Sequence, residues 1–139
     1  MTSLFYVAAG GAIGSSLRYF ASLIFKLLFP TYPLGTIFVN ILGSFLIGIL
    51  INNLENKIYS EHFLKYFLII GLLGSFTTFS AFSIEVVELY NDKKIFVAIL
   101  YILISVISCI LASYSGYNIS RIYSWKKFLK FNLKIVTLD

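Results

Sequence analysis

Residues 71–82 are GLLGSFTTFSAF, a segment that combines two glycines, two threonines, two serines and three phenylalanines. Apolar residues flank it, with Ile70 before it and Ile84 and Val86 after it. Polar and helix-weakening residues at bilayer depth are tolerated only where they face protein or a water-filled path. The segment therefore predicts a functional break near the centre of a membrane-spanning helix.

The rest of the chain has the composition of an integral membrane protein. Apolar residues make up 59% of the 139 residues and charged residues only 12%, whereas a soluble domain carries about a quarter charged residues. Four apolar segments are each long enough for the roughly 20 residues that a membrane span requires. The chain is predicted to be an all-α protein with four transmembrane helices, the third of them broken. The predicted spans are residues 4–28, 34–54, 63–89 and 95–120.

A basic tail at residues 123–139 follows a predicted transmembrane domain at residues 1–122. Trp125 and Phe128 are interleaved with its lysines, a pattern typical of an amphipathic strip on anionic headgroups. A solvated tail is the alternative. The net charge of +5 is therefore taken to indicate membrane lipids, and not nucleic acid, as partners. The lysines of the tail are Lys126, Lys127, Lys130 and Lys134.

Lysine and arginine are evenly divided between the two sides of the predicted helices, if the tail is left aside. This balance permits insertion in both directions, and hence an antiparallel homodimer, whereas the tail favours both termini in the cytoplasm. Four helices do not easily enclose a polar path alone, so oligomerisation is expected. One side carries Lys57, Lys65 and Arg121, and the other carries Lys26, Lys93 and Lys94.

Small and polar residues share helix faces in the other predicted spans. Gly10 and Gly14 form a face on which another helix can approach closely, and Arg18 continues that face one turn later. Arg18 is predicted to hold backbone carbonyls or to draw anions toward a vestibule, with Glu85 as a candidate partner. Two polar stripes follow, which are equally compatible with hydrogen bonds that merely join helices. They are Thr36, Asn40, Ser44 and Gly48 in the second span, and Tyr101, Ser105 and Ser108 in the fourth.

Phe79 and Phe82 are three residues apart and so lie on one face of a helix. The edge of an aromatic ring is positive, so ring edges can stabilise an anion without a formal charge, and such weak binding suits conduction. Ordinary packing is the alternative, although the neighbouring hydroxyls are donors that packing does not require. If the helix unwinds at residues 74–78, the freed carbonyl oxygens suit a hard monovalent cation. The neighbouring hydroxyls belong to Thr77, Thr78, Ser80 and Ser83.

Several other functions are disfavoured by what the predicted spans contain. Neither histidine, cysteine nor paired carboxylates converge there, so the chain is not predicted to be an enzyme. His62 falls in a polar connection, and Cys109 is interpreted as a small membrane-buried residue. A small multidrug-type proton-coupled exporter is the alternative function, but it needs a membrane-buried carboxylate, and the first span carries Arg18 instead. A membrane adaptor without transport activity is a third hypothesis.

Three motifs, taken together and in their order, resemble the CrcB/Fluc family of fluoride channels. Glu85 follows the third motif at the expected place, and the resemblance covers nearly all of residues 4–120. The third motif is highly specific. The motifs are Gly10-Gly-x-x-Gly-x-x-x-Arg-Tyr19, Gly35-Thr-x-x-x-Asn-x-x-Gly43 and Gly71-x-x-Gly-x-x-Thr-Thr-Phe-Ser-x-Phe82.

The resemblance implies a passive, fluoride-selective channel that exports fluoride across the cell membrane and so limits its toxicity. It also implies an antiparallel dimer with two fluoride pathways and a central sodium ion. Backbone carbonyls of Gly74 and Thr77 from both subunits would hold that ion. The family also contains heterodimers of two fixed-orientation subunits, so a paralogous partner stays open. The resemblance and the hydroxyl stripe of the fourth span together assign Asn40, Thr78, Phe79, Ser80, Phe82, Ser105 and Ser108 to the fluoride pore, with Arg18 and Glu85 at a vestibule or in a structural role.

Overall fold

A computed structural model describes residues 1–55 and 62–136, with the side chains at positions 53, 55 and 124–136 excepted. These residues are helical apart from short connections. The lysines of the predicted tail, and Lys57, lie outside the described side chains. The helices are Thr2–Leu28, Leu34–Glu55, His62–Leu73 with π-helical hydrogen bonding, Gly74–Phe76, Phe79–Asn91 and Ile95–Val136. We call Thr2–Leu28 the first helix, Leu34–Glu55 the second helix and Ile95–Val136 the fourth helix, after the predicted spans that they contain.

Three stretches of the described chain are long and apolar enough to cross a membrane: Leu34–Asn52, His62–Asn91 and Ile95–Tyr123. They agree with the second, third and fourth predicted spans. The first helix has 27 residues but is not among these three, because its glycines, serines and Arg18 lower its hydropathy. That the first helix also crosses the membrane stays a prediction.

The predicted break in the third span is confirmed, and it falls at Thr77 and Thr78. Both residues have extended backbones, with φ −79° and ψ 154° at Thr77 and φ −151° and ψ 120° at Thr78. The helix resumes at Phe79, and the Thr78 side chain caps it by accepting a hydrogen bond from the Ala81 N–H at 3.1 Å. Threonine is a favoured residue at this capping position. We call Thr77–Thr78 the break.

Glycines set how closely the helices approach one another. A Cβ at Gly10 or Gly14 would overlap the backbone of residues 67–72, so the first helix packs directly on the N-terminal half of the third span. Gly48 and Gly116 meet the backbone of the facing helix in the same way, which joins the second and fourth helices. Small residues allow this approach in membranes, where close packing replaces the hydrophobic effect between helices.

The fourth helix has 42 residues and continues to Val136. Its backbone is helical across position 123, where the sequence predicts that the tail begins. The division of the chain into a domain at 1–122 and a tail at 123–139 stays a prediction.

Candidate ion pathway

Asn40 fixes the conformation of the break. Its Nδ2 donates to the Thr78 carbonyl at 3.0 Å, and its Oδ1 accepts from the Thr78 N–H at 2.7 Å. An amide side chain offers two N–H donors and one carbonyl acceptor, so one N–H of Asn40 remains beyond these two bonds. The second helix thus supplies the hydrogen bonds that the extended backbone of Thr78 has lost.

The break displaces the helical donors of the Gly74 and Thr77 carbonyls. In an unbroken helix the Thr78 N–H would bind the Gly74 carbonyl, and the Ala81 N–H would bind the Thr77 carbonyl. Here the Thr78 N–H binds Asn40, and the Ala81 N–H binds the Thr78 hydroxyl. The Ser75 carbonyl instead accepts from Nε of Arg18 at 3.1 Å. Arg18 therefore holds a backbone carbonyl beside the break, as the sequence predicts, and the carbonyls of Gly74 and Thr77 lack their helical donors.

A cavity of about 330 Å³, which we call the groove, lies between the break and the second and fourth helices. Five of the predicted pore residues meet on its wall: Asn40, Thr78, Phe79, Phe82 and Ser105. Three separate helices contribute them. The groove is lined by Asn40, Ser44, Ile47, Thr77, Thr78, Phe79, Phe82, Ser105, Val106, Cys109 and Ile110.

The two phenylalanine rings of the groove differ in burial. Phe82 is buried, with 8% of its surface exposed, whereas Phe79 has 76% of its surface exposed. Their centroids are 5.4 Å apart at an interplanar angle of 46°, and the Phe82 ring also lies 5.3 Å from that of Tyr101. Tilted rings present edges as well as faces toward a shared space, so this pair can offer positive ring edges to an anion.

The hydroxyl groups near the break are not equally available to a ligand. Those of Thr77 and Ser83 donate back to helix carbonyls, at 3.0 Å and 2.9 Å. Thr78 and Ser80 share one hydrogen bond at 3.1 Å. Ser105 is 4% exposed, and its buried hydroxyl oxygen has no hydrogen-bond partner among the described residues. Because a buried polar group without a partner costs about 1–3 kcal/mol, Ser105 is the hydroxyl most in need of a ligand.

Glu85 does not pair with Arg18, so the partner that the sequence suggested is wrong. Thr36 donates to Glu85 Oε1 at 2.6 Å, and the Tyr101 hydroxyl donates to Oε2 at 2.5 Å. Arg18 is occupied by Ser75 on the other side of the break. The half-buried carboxylate is thus satisfied by two hydroxyls from the second and fourth helices, and hydrogen bonds to a charged group are the stronger kind.

Glu85, Thr36 and Tyr101, which we call the Glu85 cluster, each lie one helical turn from a groove residue on their own helix. Thr36 precedes Asn40 by four residues, and Tyr101 precedes Ser105 by four. Glu85 itself follows Phe82 by three. Residues at these spacings are neighbours on a helix face. A line of polar groups, which we call the polar line, therefore leads from the groove to the Glu85 cluster.

A second cavity, which we call the vestibule, lies at the far end of this line. It has a volume of about 360 Å³, and Thr36 and Glu85 are on its wall. The carboxylates of Glu88 and Asp92 and the ammonium of Lys26 also face it. The polar line therefore connects the groove to a charged, open cavity near one end of the helices.

The remaining predicted site residues lie beside the groove. Ser80 is exposed next to Thr78, and Ser108 is half-buried on the fourth helix, but neither is on the wall of the cavity. Cys109, interpreted from sequence as a buried small residue, is half-buried and lines the groove. The sequence placed Thr36 and Tyr101 in polar stripes but did not predict that both bind Glu85. The spacing of residues on one helix does not indicate which residue of another helix they contact.

Comparison with known proteins gives a consistent result over most of the chain. A sequence model of the family described as "CrcB-like protein, Camphor Resistance (CrcB)" matches residues 5–117. A protein of Flavobacterium psychrophilum named "Fluoride-specific ion channel FluC" is 42% identical over 122 residues, which cover 87% of this chain and 98% of that protein.

Two further relatives carry the same name. The protein of Agrobacterium fabrum is 39% identical over 87% of this chain and 98% of its own length. The protein of Azobacteroides pseudotrichonymphae is 41% identical over 88% of this chain and 99% of its own length. With three helices apolar and long enough to cross a membrane, the chain is a multi-pass membrane protein, and it belongs to the CrcB family.

Proposed function

We propose that this protein is a fluoride-selective channel through which fluoride leaves the cell passively, which limits its toxicity. The family match and the names of the relatives support the proposal. Those names describe ion channels and agree with the prediction that the protein is not an enzyme. Fluoride that enters as the neutral acid ionises inside, and the anion then leaves down its electrochemical gradient.

The observation that carries the proposal within the structure is the unpartnered hydroxyl of Ser105 on the groove wall. Fluoride is a small, strongly hydrated anion, so a dry path must replace its water with hydrogen-bond donors. Ser105 offers a free O–H, and Asn40 faces the same cavity with one N–H beyond its bonds to Thr78. Neither donor carries a positive charge, so the anion is bound without being trapped.

The aromatic rings and the Glu85 cluster complete the proposed path. The edges of Phe79 and Phe82 stabilise the ion where water is excluded. From the groove, the hydroxyls of Thr36 and Tyr101 continue the polar line to the vestibule, and Glu85 orients both of them. The hydroxyls of Thr78 and Ser80 are hydrogen-bonded to each other, so one O–H of this pair remains to donate to the ion. Ser108 does not line the groove, so we propose that it lies beside the path without contacting the ion.

We propose that two antiparallel copies assemble, with the first helix of each also spanning the membrane. Phe79 is 76% exposed and Gly74 is exposed beside the break, and a second copy would cover this side. Leu17, Tyr19 and Phe20 of the first helix are also exposed. Homodimerisation is the simpler assembly, and pairing with a paralogous subunit is the alternative.

A sodium ion fits the oxygen donors that the break sets free. The carbonyls of Gly74 and Thr77 have lost their helical donors to Asn40 and Thr78, and carbonyl oxygens are suitable ligands for a hard monovalent cation. We propose that these carbonyls hold sodium between two copies, where the ion supplies positive charge that joins the broken helices. Within each copy, Asn40 and Arg18 keep the break open independently of the ion.

The channel is tested with purified protein as the only protein in lipid vesicles loaded with potassium fluoride or potassium chloride. Valinomycin is added to carry potassium, and anion-selective electrodes record efflux. We expect rapid fluoride efflux and retention of chloride, with vesicles lacking protein as the control. Equal loss of both anions, or no fluoride efflux, would contradict the proposal. Efflux of a lipophilic cation driven by a proton gradient would instead support the exporter hypothesis.

A further inference from the structure

The vestibule has more carboxylates than ammonium groups on its wall, which is unfavourable at the end of an anion path. Among the described residues, three carboxylates line it, against two ammonium groups. The Asp92 carboxylate is 3.0 Å from the Lys94 ammonium, so these two charges offset each other. Fluoride that passes between Thr36 and the outside must therefore approach the remaining two carboxylates. The carboxylates are those of Glu85, Glu88 and Asp92, and the ammonium groups are those of Lys26 and Lys94.

Lys26 supplies the positive charge that faces these carboxylates. It forms no ion pair within the part of the chain that the structure describes, and it is exposed on the vestibule wall. The summed charge of a cavity wall sets the local concentration of an ion that enters the cavity. The ammonium of Lys26 therefore offsets one carboxylate and lowers the repulsion that fluoride meets there.

Arg18, the residue that the sequence placed at a vestibule, is not on this wall. Its Nε donates to the Ser75 carbonyl beside the break. Lys26 lies two turns further along the first helix, in its last turn. A cation at this position also complements the helix dipole, so an experiment must separate an effect on fluoride from an effect on the helix.

We propose that Lys26 recruits fluoride to the vestibule end of the path by offsetting the charge of Glu88. The effect on fluoride rests on the proposed function, whereas the effect on the charge of the vestibule does not. In water, a unit charge about 7 Å away changes the local concentration of a monovalent anion about threefold. Salt screens this effect, because the Debye length falls from about 30 Å at 0.01 M to about 3 Å at 1 M.

The first measurement is efflux of dilute fluoride from vesicles at ionic strengths of 0.01 M and 1 M, set on both sides with potassium glutamate. Lys26→Gln should lower efflux about threefold at the lower ionic strength and leave it unchanged at the higher one. Lys26→Arg should keep the native rate at both. The matched control is Lys93→Gln, because Lys93 is exposed in the adjoining connection but is not on the vestibule wall. Its loss should have a much smaller effect.

Compensation between two charges separates recruitment from a structural role of Lys26. Glu88→Gln removes a carboxylate from the vestibule and should raise efflux at low ionic strength about threefold. The double variant Lys26→Gln, Glu88→Gln should then return to about the native rate. Glu88 is on the helix Phe79–Asn91 and not on the first helix, so its replacement would not repair a damaged end of the first helix.

A reporter thiol measures the charge of the vestibule whether or not the protein conducts. Thr31 is on the vestibule wall. Thr31→Cys, made together with Cys109→Ser so that the reporter is the single thiol, is treated with an anionic and with a cationic methanethiosulfonate. Addition of Lys26→Gln should lower the ratio of the anionic to the cationic reaction rate about tenfold at 0.01 M, and hardly at all at 1 M.

Four results would overturn the inference. They are native efflux from Lys26→Gln at low ionic strength, a loss of efflux that persists at 1 M, an equal loss in Lys93→Gln, and a reporter ratio that does not depend on Lys26. Absence of fluoride efflux from the native chain, with a reporter ratio that does depend on Lys26, would instead refute the proposed function. The charge of the vestibule would then still be assigned to Lys26.

Discussion

The side-chain amide of Asn40 is hydrogen-bonded to both backbone polar groups of Thr78, although 38 residues separate them in the chain. The amide takes the place of the neighbouring turns of helix at the one point where the third span is extended. This relationship ties the second helix to the break. It also releases the Gly74 carbonyl, whose helical donor is the Thr78 N–H, so one side chain contributes to both the groove and the proposed cation site.

Replacement of Asn40 by leucine should therefore damage the fold and the path together. The two polar groups of Thr78 lose their partners, which costs about 1–3 kcal/mol for each group left unpaired. We expect a lower melting temperature in detergent and loss of fluoride efflux. Asn40→Asp keeps an acceptor for the Thr78 N–H, so it should recover part of the stability. Its negative charge should still repel fluoride and suppress efflux.

Ser120→Ala is the control for a general loss of stability. It removes a buried hydrogen bond from Asn52 to the Ser120 hydroxyl, 3.1 Å long and far from the groove. This variant should melt earlier but keep its efflux per folded protein. If Asn40→Leu kept normal efflux, the two hydrogen bonds from Asn40 to Thr78 would not be needed for the path.

Phe82→Ile and Phe79→Ile remove the ring edges while keeping an apolar side chain. We take the stabilisation of fluoride by a ring edge to be similar to that of an aromatic pair, about 1 kcal/mol. Because 1.4 kcal/mol corresponds to a factor of ten, efflux should fall by about fivefold. Phe96→Ile is the matched control, because Phe96 is 73% exposed at the start of the fourth helix and does not line the groove. Size-exclusion chromatography should show the same assembly for all three variants. Undiminished efflux in both groove variants would remove the rings from the path.

Tyr101→Phe deletes one hydroxyl, the donor to Glu85 Oε2. Hydrogen bonds to charged groups contribute about 1.5–3 kcal/mol, so the variant should be less stable by that amount. Efflux should fall as well, because Glu85 loses one of the two donors that fix its orientation. Thr36→Val removes the other donor and should have a similar effect. A Tyr101→Phe variant with unchanged stability and unchanged efflux would argue against the cluster.

Gly48→Ala tests the close crossing of the second and fourth helices. The added Cβ would overlap the Ser113 carbonyl, and overpacking of this kind costs about 1–3 kcal/mol. We expect a lower melting temperature and a lower yield of folded protein. Gly11→Ala is the matched control, since its Cβ would meet only the Ser75 hydroxyl, at 3.3 Å, and the first helix should tolerate it. Equal melting temperatures for the two variants would contradict the proposed packing.

Removal of sodium tests the proposed cation site. Exchange of sodium for a bulky organic cation should weaken the association of two copies, because the freed carbonyls of Gly74 and Thr77 would then face one another without a charge between them. The measurement is the fraction of dimer in detergent as sodium is varied at constant ionic strength. In Asn40→Leu the Thr78 N–H is free to bind the Gly74 carbonyl again, so the fraction of dimer should no longer depend on sodium. A dimer fraction that is independent of sodium would exclude a structural role for the ion.

The break could be located from sequence because its cause is local. Two glycines, two threonines and two serines at bilayer depth weaken a helix wherever it is placed, and apolar length alone identified the second, third and fourth spans. The close face at Gly10 and Gly14 was predicted for the same reason, since the spacing of small residues is a property of one helix.

Contacts between helices could not be obtained in this way. Arg18 binds the Ser75 carbonyl and not Glu85, and Glu85 binds Thr36 and Tyr101. Each partner depends on how far one helix is rotated and shifted against another. The period of a single helix states which residues share a face, but not what that face meets.

The amino-acid sequence by itself thus determined an all-helical membrane chain with an interruption at a known place, because hydropathy and helix propensity act over a few neighbouring residues. Only the tertiary structure decided that Asn40 occupies the interruption, that Ser105 is left without a partner, and that Cys109 stands beside it. Those three facts arise where separate helices converge, and there the register between helices, not the residue pattern within one, sets which polar groups are satisfied.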